Sequence, residues 1–305
     1  MASCFSDSSV SIADASCSSA CISPNTSLSI QNTVVYVYRI ILSTSKQLLV
    51  EVNWNKCQDY QGLSITFNNS ATPSFKLTTN SRIFRKLKGS RIVESNSFKI
   101  EVFWDLSLSK YQSGPEPVDG YYVIVMVDSE VGLVVGDLAK EAAKRKFEKG
   151  TRYAKSSLLV RRDYCAGNTL FSTRAKFSEN SAHHDISIRC SGEQEEWLNH
   201  PFFSICIDKK EVIRVERLNW NFRGNQTLFF QGLMIDLLWD VNEWLINRFS
   251  GSAIFMFRMR SGMNLDSRVW LEDEDEDEEE KETLLEKEKD MGGEYSLLIY
   301  ACKSI

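Results

Sequence analysis

The sequence is poor in the residues that usually announce chemistry. Its 305 residues include 3 histidines, 5 prolines and 15 glycines, which excludes a collagen-like chain and one disordered throughout. His183 and His184 fall in a polar stretch and His200 precedes Pro201. They read as solvent-exposed loop residues and not as the base of a nucleophilic site. No Gly-x-Ser-x-Gly, Gly-x-x-x-x-Gly-Lys-Ser/Thr or Gly-x-Gly-x-x-Gly string occurs, so neither a hydrolase elbow nor a phosphate cradle has support. The eight cysteines include no Cys-x-x-Cys pair; a zinc site wants ligands paired on tight turns, and reduced thiols, several in strands, are expected instead. No catalytic, cofactor-binding or metal-binding residue is assigned, and no cofactor is expected.

Long apolar runs are missing as well. No stretch approaches the length of a membrane-spanning helix, so no transmembrane segment is expected. The first basic residue is Arg39, which leaves no basic region for a secretory signal. The expected compartment is the cytoplasm and/or nucleus, with peripheral membrane association as the alternative. Without export, the sequons at Asn25, Asn68 and Asn225 carry no meaning.

What is present is apolar and aromatic material in short periods. Apolar residues make up 43% of the chain and aromatics 11%, enough to fill real cores. Residues 1–29, with eleven serines, show no sustained apolar period and are expected to be a disordered tail that could accept phosphate. From Thr33 the pattern becomes one of alternation: Leu48, Val50 and Val52 up to Trp54; Leu63, Ile65 and Phe67; Phe98, Ile100, Val102 and Trp104; then the continuous run Tyr121 to Val127. Period two bounded by Asn, Asp, Ser and Gly predicts strands of antiparallel sheets. Residues 137–149 break the rhythm and predict one helix, with Asp137 as its cap and Gly150 at its end. Strands resume from Leu158 and include Leu170–Phe177, Ile186–Arg189, Phe202–Ile207, Val212–Asn221, Met234–Trp239, Ala253–Met259 and Tyr295–Ala301. Arg223-Gly224-Asn225-Gln226 reads as a hairpin turn.

The halves resemble each other. Asn32-Thr33 matches Asn168-Thr169 at an offset of 136, Gly62–Phe67 matches Phe202–Ile207 at 140, and Lys99–Asp105 matches Met234–Asp240 at 135. Three blocks in conserved order predict one β-unit used twice. Trp104 and Trp239 are expected to pack over core ends, or alternatively to offer stacking platforms. Asp105 and Asp240 should bond nearby backbone in the following turns.

Several strings together resemble the plant family of uncharacterised proteins known as domain of unknown function 868 (DUF868). They are Val102-Phe-Trp-Asp-Leu106, Pro115-Glu-Pro followed by Tyr121-Tyr-Val, Gly136-Asp-Leu-Ala-Lys-Glu-Ala142, Phe171-Ser-Thr-Arg-Ala-Lys-Phe177, Asn221-Phe-Arg-Gly-Asn-Gln-Thr227, Trp239-Asp-Val and Ser296–Ser304. The resemblance spans roughly residues 30 to 302. It implies a β-rich, non-secreted plant protein and brings no activity, cofactor or catalytic residue.

Charge is distributed unevenly. The net charge is −5, yet residues 272–290 hold thirteen carboxylates and three lysines. That segment contributes −10, leaving +5 for the rest. The acidic run reads as a solvated, self-repelling segment without the geometry that calcium needs. Basic residues cluster at Arg82, Arg85, Lys86, Lys88 and Arg91, and again at Lys140, Lys144 and Arg145, with Arg161 and Arg162 continuing the second group. These are the candidate residues for binding an anionic surface; no RNA-binding aromatic signature accompanies them.

The expected fold is therefore all-β: two tandem antiparallel β-sandwich-like modules joined by a short helix. The divisions are a disordered tail (1–29), module 1 (30–135), a linker with the helix (136–165), module 2 (166–261), an acidic disordered loop (262–293) and a C-terminal strand (294–305). The expected function is a non-enzymatic, protein-binding module. The alternatives are peripheral binding to anionic lipid through the basic surface, and an enzyme with an unrecognised site.

Overall fold

The computed structural model describes residues 30–57, 61–68, 70, 74–78, 86–94, 97–177, 181–190, 201–247, 250–260 and 295–303. The serine-rich tail, Arg82, Arg85 and the acidic run lie outside them.

Strands β1 (Ile30–Ile41), β2 (Gln47–Lys56), β3 (Gln61–Phe67) and β4 (Phe75–Thr78) form an antiparallel meander. A second antiparallel set follows: β5 (Lys88–Glu94) and β6 (Lys99–Asp105), a small ribbon of β7 (Lys110–Tyr111) and β8 (Pro117–Asp119), then β9 (Tyr122–Val127) and β10 (Glu130–Val135). Helix α1 (Ala139–Lys146) and the long strand β11 (Lys155–Gly167) come next. The pattern then repeats: a meander of β12 (Leu170–Ala175), β13 (His184–Cys190), β14 (Phe203–Ile207) and β15 (Lys210–Val215), followed by β16 (Arg223–Phe230), β17 (Leu233–Asp240), the short helix α2 (Asn242–Ile246), β18 (Ser252–Met259) and β19 (Ser296–Lys303). The chain is all-β, as its periods predict.

The sheets are assembled crosswise. One nine-stranded sheet runs β16-β17-β18-β19-β11-β1-β2-β3-β4, combining the first meander of the first half with the last four strands of the second. Strand β11 joins them, antiparallel to β1 and parallel to β19. Residues paired across strands share a face of the sheet. Trp54, Val34, Asp163 and Ile299 are linked in this way, strand by strand, and both four-stranded sheets therefore pack on the same face of the nine-stranded one. One core holds Leu48, Val50, Val52 and Trp54 of β2 with Ile100, Val102, Val123 and Val125 opposite. The other holds Phe255, Phe257 and Ile299 with Phe171, Ile188, Phe203 and Ile205. Each fully buried large apolar side chain contributes on the order of 1.5–3 kcal/mol, so alternation on one face of β2 is a substantial part of the first core.

The two halves carry the same bonds 135 residues apart. Trp104 donates its Nε1–H to the carbonyl of Lys86 at 2.8 Å, and Trp239 donates to that of Asn221 at 3.0 Å. Asp105 accepts from the Ser107 amide and pairs with Lys88; Asp240 accepts from the Asn242 amide and pairs with Arg223. Gly89 lies opposite Trp104 and Gly224 opposite Trp239. The indole covers the glycine in each case, which is why glycine stands there. Corners repeat too. Asn68 and Asp208, both at positive φ, each accept the amide N–H of the preceding strand (Leu49, Asp185) on Oδ1 and donate back to its carbonyl. Short polar side chains tolerate this backbone and satisfy it locally.

Several expectations need correction. Arg223–Gln226 is strand, the start of β16; the hairpin turn is Gln231-Gly232, where both residues have positive φ. β15 ends at Val215 and does not extend to Asn221. Helix α1 starts without a side-chain cap, because Asp137 accepts the Tyr121 amide instead. Much of the expected linker is β11, and α1 packs Ala139 and Ala143 against Phe103, Tyr122 and Ile124 on the outer face of the first small sheet. His184 is buried in β13, not exposed in a loop. Cys57, Cys165, Cys190 and Cys206 are free, whereas Cys302 is disulfide-bonded, against the expectation of thiols throughout.

A methyl group added at Gly224 collides with the Trp239 ring, whereas at Gly89 the nearest ring atom lies 3.2 Å away. Forced overpacking costs about 1–3 kcal/mol. Urea denaturation should therefore show Gly224→Ala losing stability in that range and Gly89→Ala losing less; equal, negligible effects would contradict the packing described.

Candidate functional site

Strand β11 brings a charged group to the seam between the two cores. Alternation places Arg161 and Asp163 on its inner face, where they are 3% and 0% exposed. The Arg161 guanidinium donates from Nε to Asp163 Oδ1 at 2.8 Å and from Nη2 to Oδ2 at 3.2 Å, a bidentate clasp. It also pairs with Glu116 at 3.2 Å and donates to the Tyr36 hydroxyl at 3.0 Å. Tyr36 in turn donates to Glu116, and Thr173 donates to Asp163. Gln31 completes the chain, donating to Thr173 Oγ1 at 3.1 Å.

The contributors come from both halves: Gln31 and Tyr36 on β1, Glu116 between β7 and β8, Thr173 on β12. Burial dominates the electrostatics. It pushes the Glu116 carboxyl up, a shift that Arg161 only partly offsets, and it raises the Tyr36 phenol well above its ordinary value. Burial opposes the charge on Arg161 too, but Asp163, Tyr36 and Glu116 outweigh it and hold the cation. Every charge has a partner, as a buried ion group requires. The arrangement locks the two halves together, and among the described residues its charged groups are spent on one another. Sequence reading missed it, since Arg161 was grouped with the solvent-facing bases and the other members are scattered between residues 31 and 173.

The buried histidine is likewise engaged. His184 Nδ1 lies 2.7 Å from Asp208 Oδ2, and its ring meets Phe177 and Phe230. That hydrogen bond holds the Asp208 carboxyl below its usual range. The imidazole thus faces aromatic carbon and the hairpin corner. Among the described residues no group of three or more His, Cys, Asp or Glu is placed to hold a metal ion. No helix among them is long and apolar enough to cross a membrane.

The candidate basic residues are divided. Lys88 is on the outer face of the first small sheet, the face that carries α1, and is paired with Asp105. Arg91 is exposed on the opposite side of the same strand. Lys86 is exposed just before β5. On α1, Arg145 pairs with Glu141, and Lys140 and Lys144 are exposed with no ion pair among the described residues.

A different exposed feature lies at one end of the second core. The segment 216–222, the residue leading into α2 and the start of the 201–207 segment meet there: Val241 donates to the Phe222 carbonyl at 2.8 Å, and Leu218 to that of Pro201 at 3.0 Å. Trp220 and Asn221 both donate their amides to the Arg217 carbonyl, and the Asn221 side chain donates to the Glu216 carbonyl. This turn is therefore pinned by three bonds. It holds Trp220 out at 86% exposure, with Ile246 at 75% and Phe222 more than one-third exposed at the same end. Sequence reading singled out Trp104 and Trp239, which pack structurally, and passed over Trp220; its neighbours are polar, and a strand was expected to run through it.

A family profile described as a plant protein of unknown function, DUF868, matches residues 29–303. No curated protein and no solved structure matches the chain.

Replacing Arg161 by methionine leaves Asp163 and Glu116 buried without their cation, a loss of about 3–5 kcal/mol. Thr173→Val removes one hydrogen bond to the charged group and should cost about 1–3 kcal/mol. Denaturation midpoints of the two variants test this; an Arg161→Met protein as stable as the wild type would show that the seam is not bearing on the fold.

Proposed function

The chain belongs to the DUF868 family of plant proteins, and we propose that it is a non-enzymatic protein-binding module of the cytoplasm or nucleus, docking its partner on the loop end that carries Trp220. The observation that supports this most is the pinned turn. An exposed tryptophan whose backbone is already held by hydrogen bonds has only its side chain left to order on binding. Ile246 and Phe222 are further exposed apolar side chains at the same end, and Arg217 and Arg223 are three residues from Trp220 in sequence on either side. Tryptophan and arginine dominate the energetics of protein interfaces, and interface centres are apolar with a polar rim. The seam adds to the reading, because charges spent on rigid connection suit a scaffold.

A second reading, peripheral binding to anionic lipid, is favoured by Lys140 and Lys144 on the outer side of α1. Binding of that kind weakens as salt rises. Flotation with phosphatidylserine vesicles separates the two: Lys140→Glu with Lys144→Glu abolishes flotation under the lipid reading and changes nothing under the protein-binding one.

The protein-binding reading is tested by quantitative affinity capture from plant extract with the full chain and with Trp220→Ala. The truncated side chain is exposed, so folding is preserved, and loss of a hot-spot residue costs about 2 kcal/mol or more, a fall of roughly 30-fold in affinity. A partner set retained unchanged by Trp220→Ala, or no specific partner for the intact chain, would contradict it.

A further inference from the structure

Apart from the short ribbon β7-β8, the described sheets end in six edge strands: β16 and β4 on the nine-stranded sheet, β5 and β10 on one small sheet, β12 and β15 on the other. An edge exposes a row of unpaired amide and carbonyl groups, and proteins blunt such rows with charge, bulges, shortness or cover. Five of the six are blunted. β4 has four residues. β5 carries Lys88 and Arg91. β15 carries Lys210, Glu211 and Arg214 and a register shift against β14. β10 is covered, with Val131 exchanging backbone bonds with Arg152 and Ala154. β12 turns Thr173 into the seam beside β1.

Among the described residues β16 has none of these protections. It is the longest of the six at eight residues, pairs with β17 without a register shift, and has no charged side chain after Arg223. Arg223, Asn225, Gln226, Thr227 and Phe229 are exposed, Phe229 at 72%.

We propose that a second copy of this chain pairs antiparallel with β16, extending the nine-stranded sheet across a two-fold axis at Gln226. The occupant follows from the strand's own complementarity. In an antiparallel pair, opposed residues must share a face, and a two-fold axis at Gln226 satisfies this for every position. Gln226 then meets Gln226 of the second copy, where amides can exchange hydrogen bonds. Asn225 meets Thr227. Arg223 meets Phe229, placing a guanidinium beside an aromatic ring that is otherwise in water. Gly224 meets Leu228, so the one large buried side chain of the strand faces the residue with no side chain. Two-fold contacts of this kind are self-complementary and closed.

Sedimentation velocity of the full chain tests the pairing. The wild type should pass from one chain of 34.9 kDa to twice that mass across the micromolar range. Gln226→Lys and Gln226→Glu each set like charges opposite each other and should remain monomeric, while their equimolar mixture should regain the dimer, since only this register opposes residue 226 to itself. Circular dichroism establishes that both variants are folded. Trp220→Ala should dimerise as the wild type does, which separates this inference from the proposed function. A wild type that stays monomeric throughout, a dimer that survives both single variants, or a mixture that fails to associate would each overturn it.

Discussion

The clasp between Arg161 and Asp163 is the constraint around which the molecule is arranged. Both sit on the strand that joins the two parts of the nine-stranded sheet, at the seam where two apolar cores meet. Desolvating a guanidinium and two carboxylates is expensive, and only a full set of partners offsets it. Those partners are drawn from β1, from the ribbon beside β8 and from β12. The charges are satisfied only when the two halves are assembled around β11. An apolar seam of the same shape would serve stability as well; a charged one also fixes which residues must face each other.

Around that seam the chain uses one β-unit twice and then joins the copies crosswise. The indole–glycine contact with its carboxylate–cation pair recurs 135 residues apart, at Trp104 and at Trp239. The copies diverge where their surroundings differ. In the first, these strands form a small sheet whose outer face is covered by α1; in the second, they belong to the nine-stranded sheet. The second copy's loop end carries the exposed Trp220 and Ile246, and its β16 is the unprotected edge. The copies thus differ in how they end: the first copy's β5 carries Lys88 and Arg91, whereas the second copy's β16 has no charge after Arg223.

Much of the fold was legible because period-two alternation reflects burial on one face of a sheet. β2, β6 and β17 were evident for that reason, and the Trp-Asp strings marked equivalent strand ends. The Arg223–Gln226 string misled because glycine and asparagine favour turns, whereas here the glycine makes room for an indole. Arg161 looked like one more surface base, since its carboxylate partners lie 2 and 45 residues away in sequence and its burial depends on strand pairing. His184 read as a loop residue for the same reason: its acceptor, Asp208, lies beyond the next strand, in the turn after β14. Trp220 carried no periodic signal, and its exposure is a property of a turn whose bonds run to backbone carbonyls.

Native-state hydrogen exchange of β11 tests most directly whether the seam makes one body of the two halves. The account predicts that the amides of Val160–Cys165 exchange only through global unfolding, with the same free energy and denaturant dependence as those of β2 and β18. Exchange of β11 through a smaller opening, with one core still protected, would contradict it.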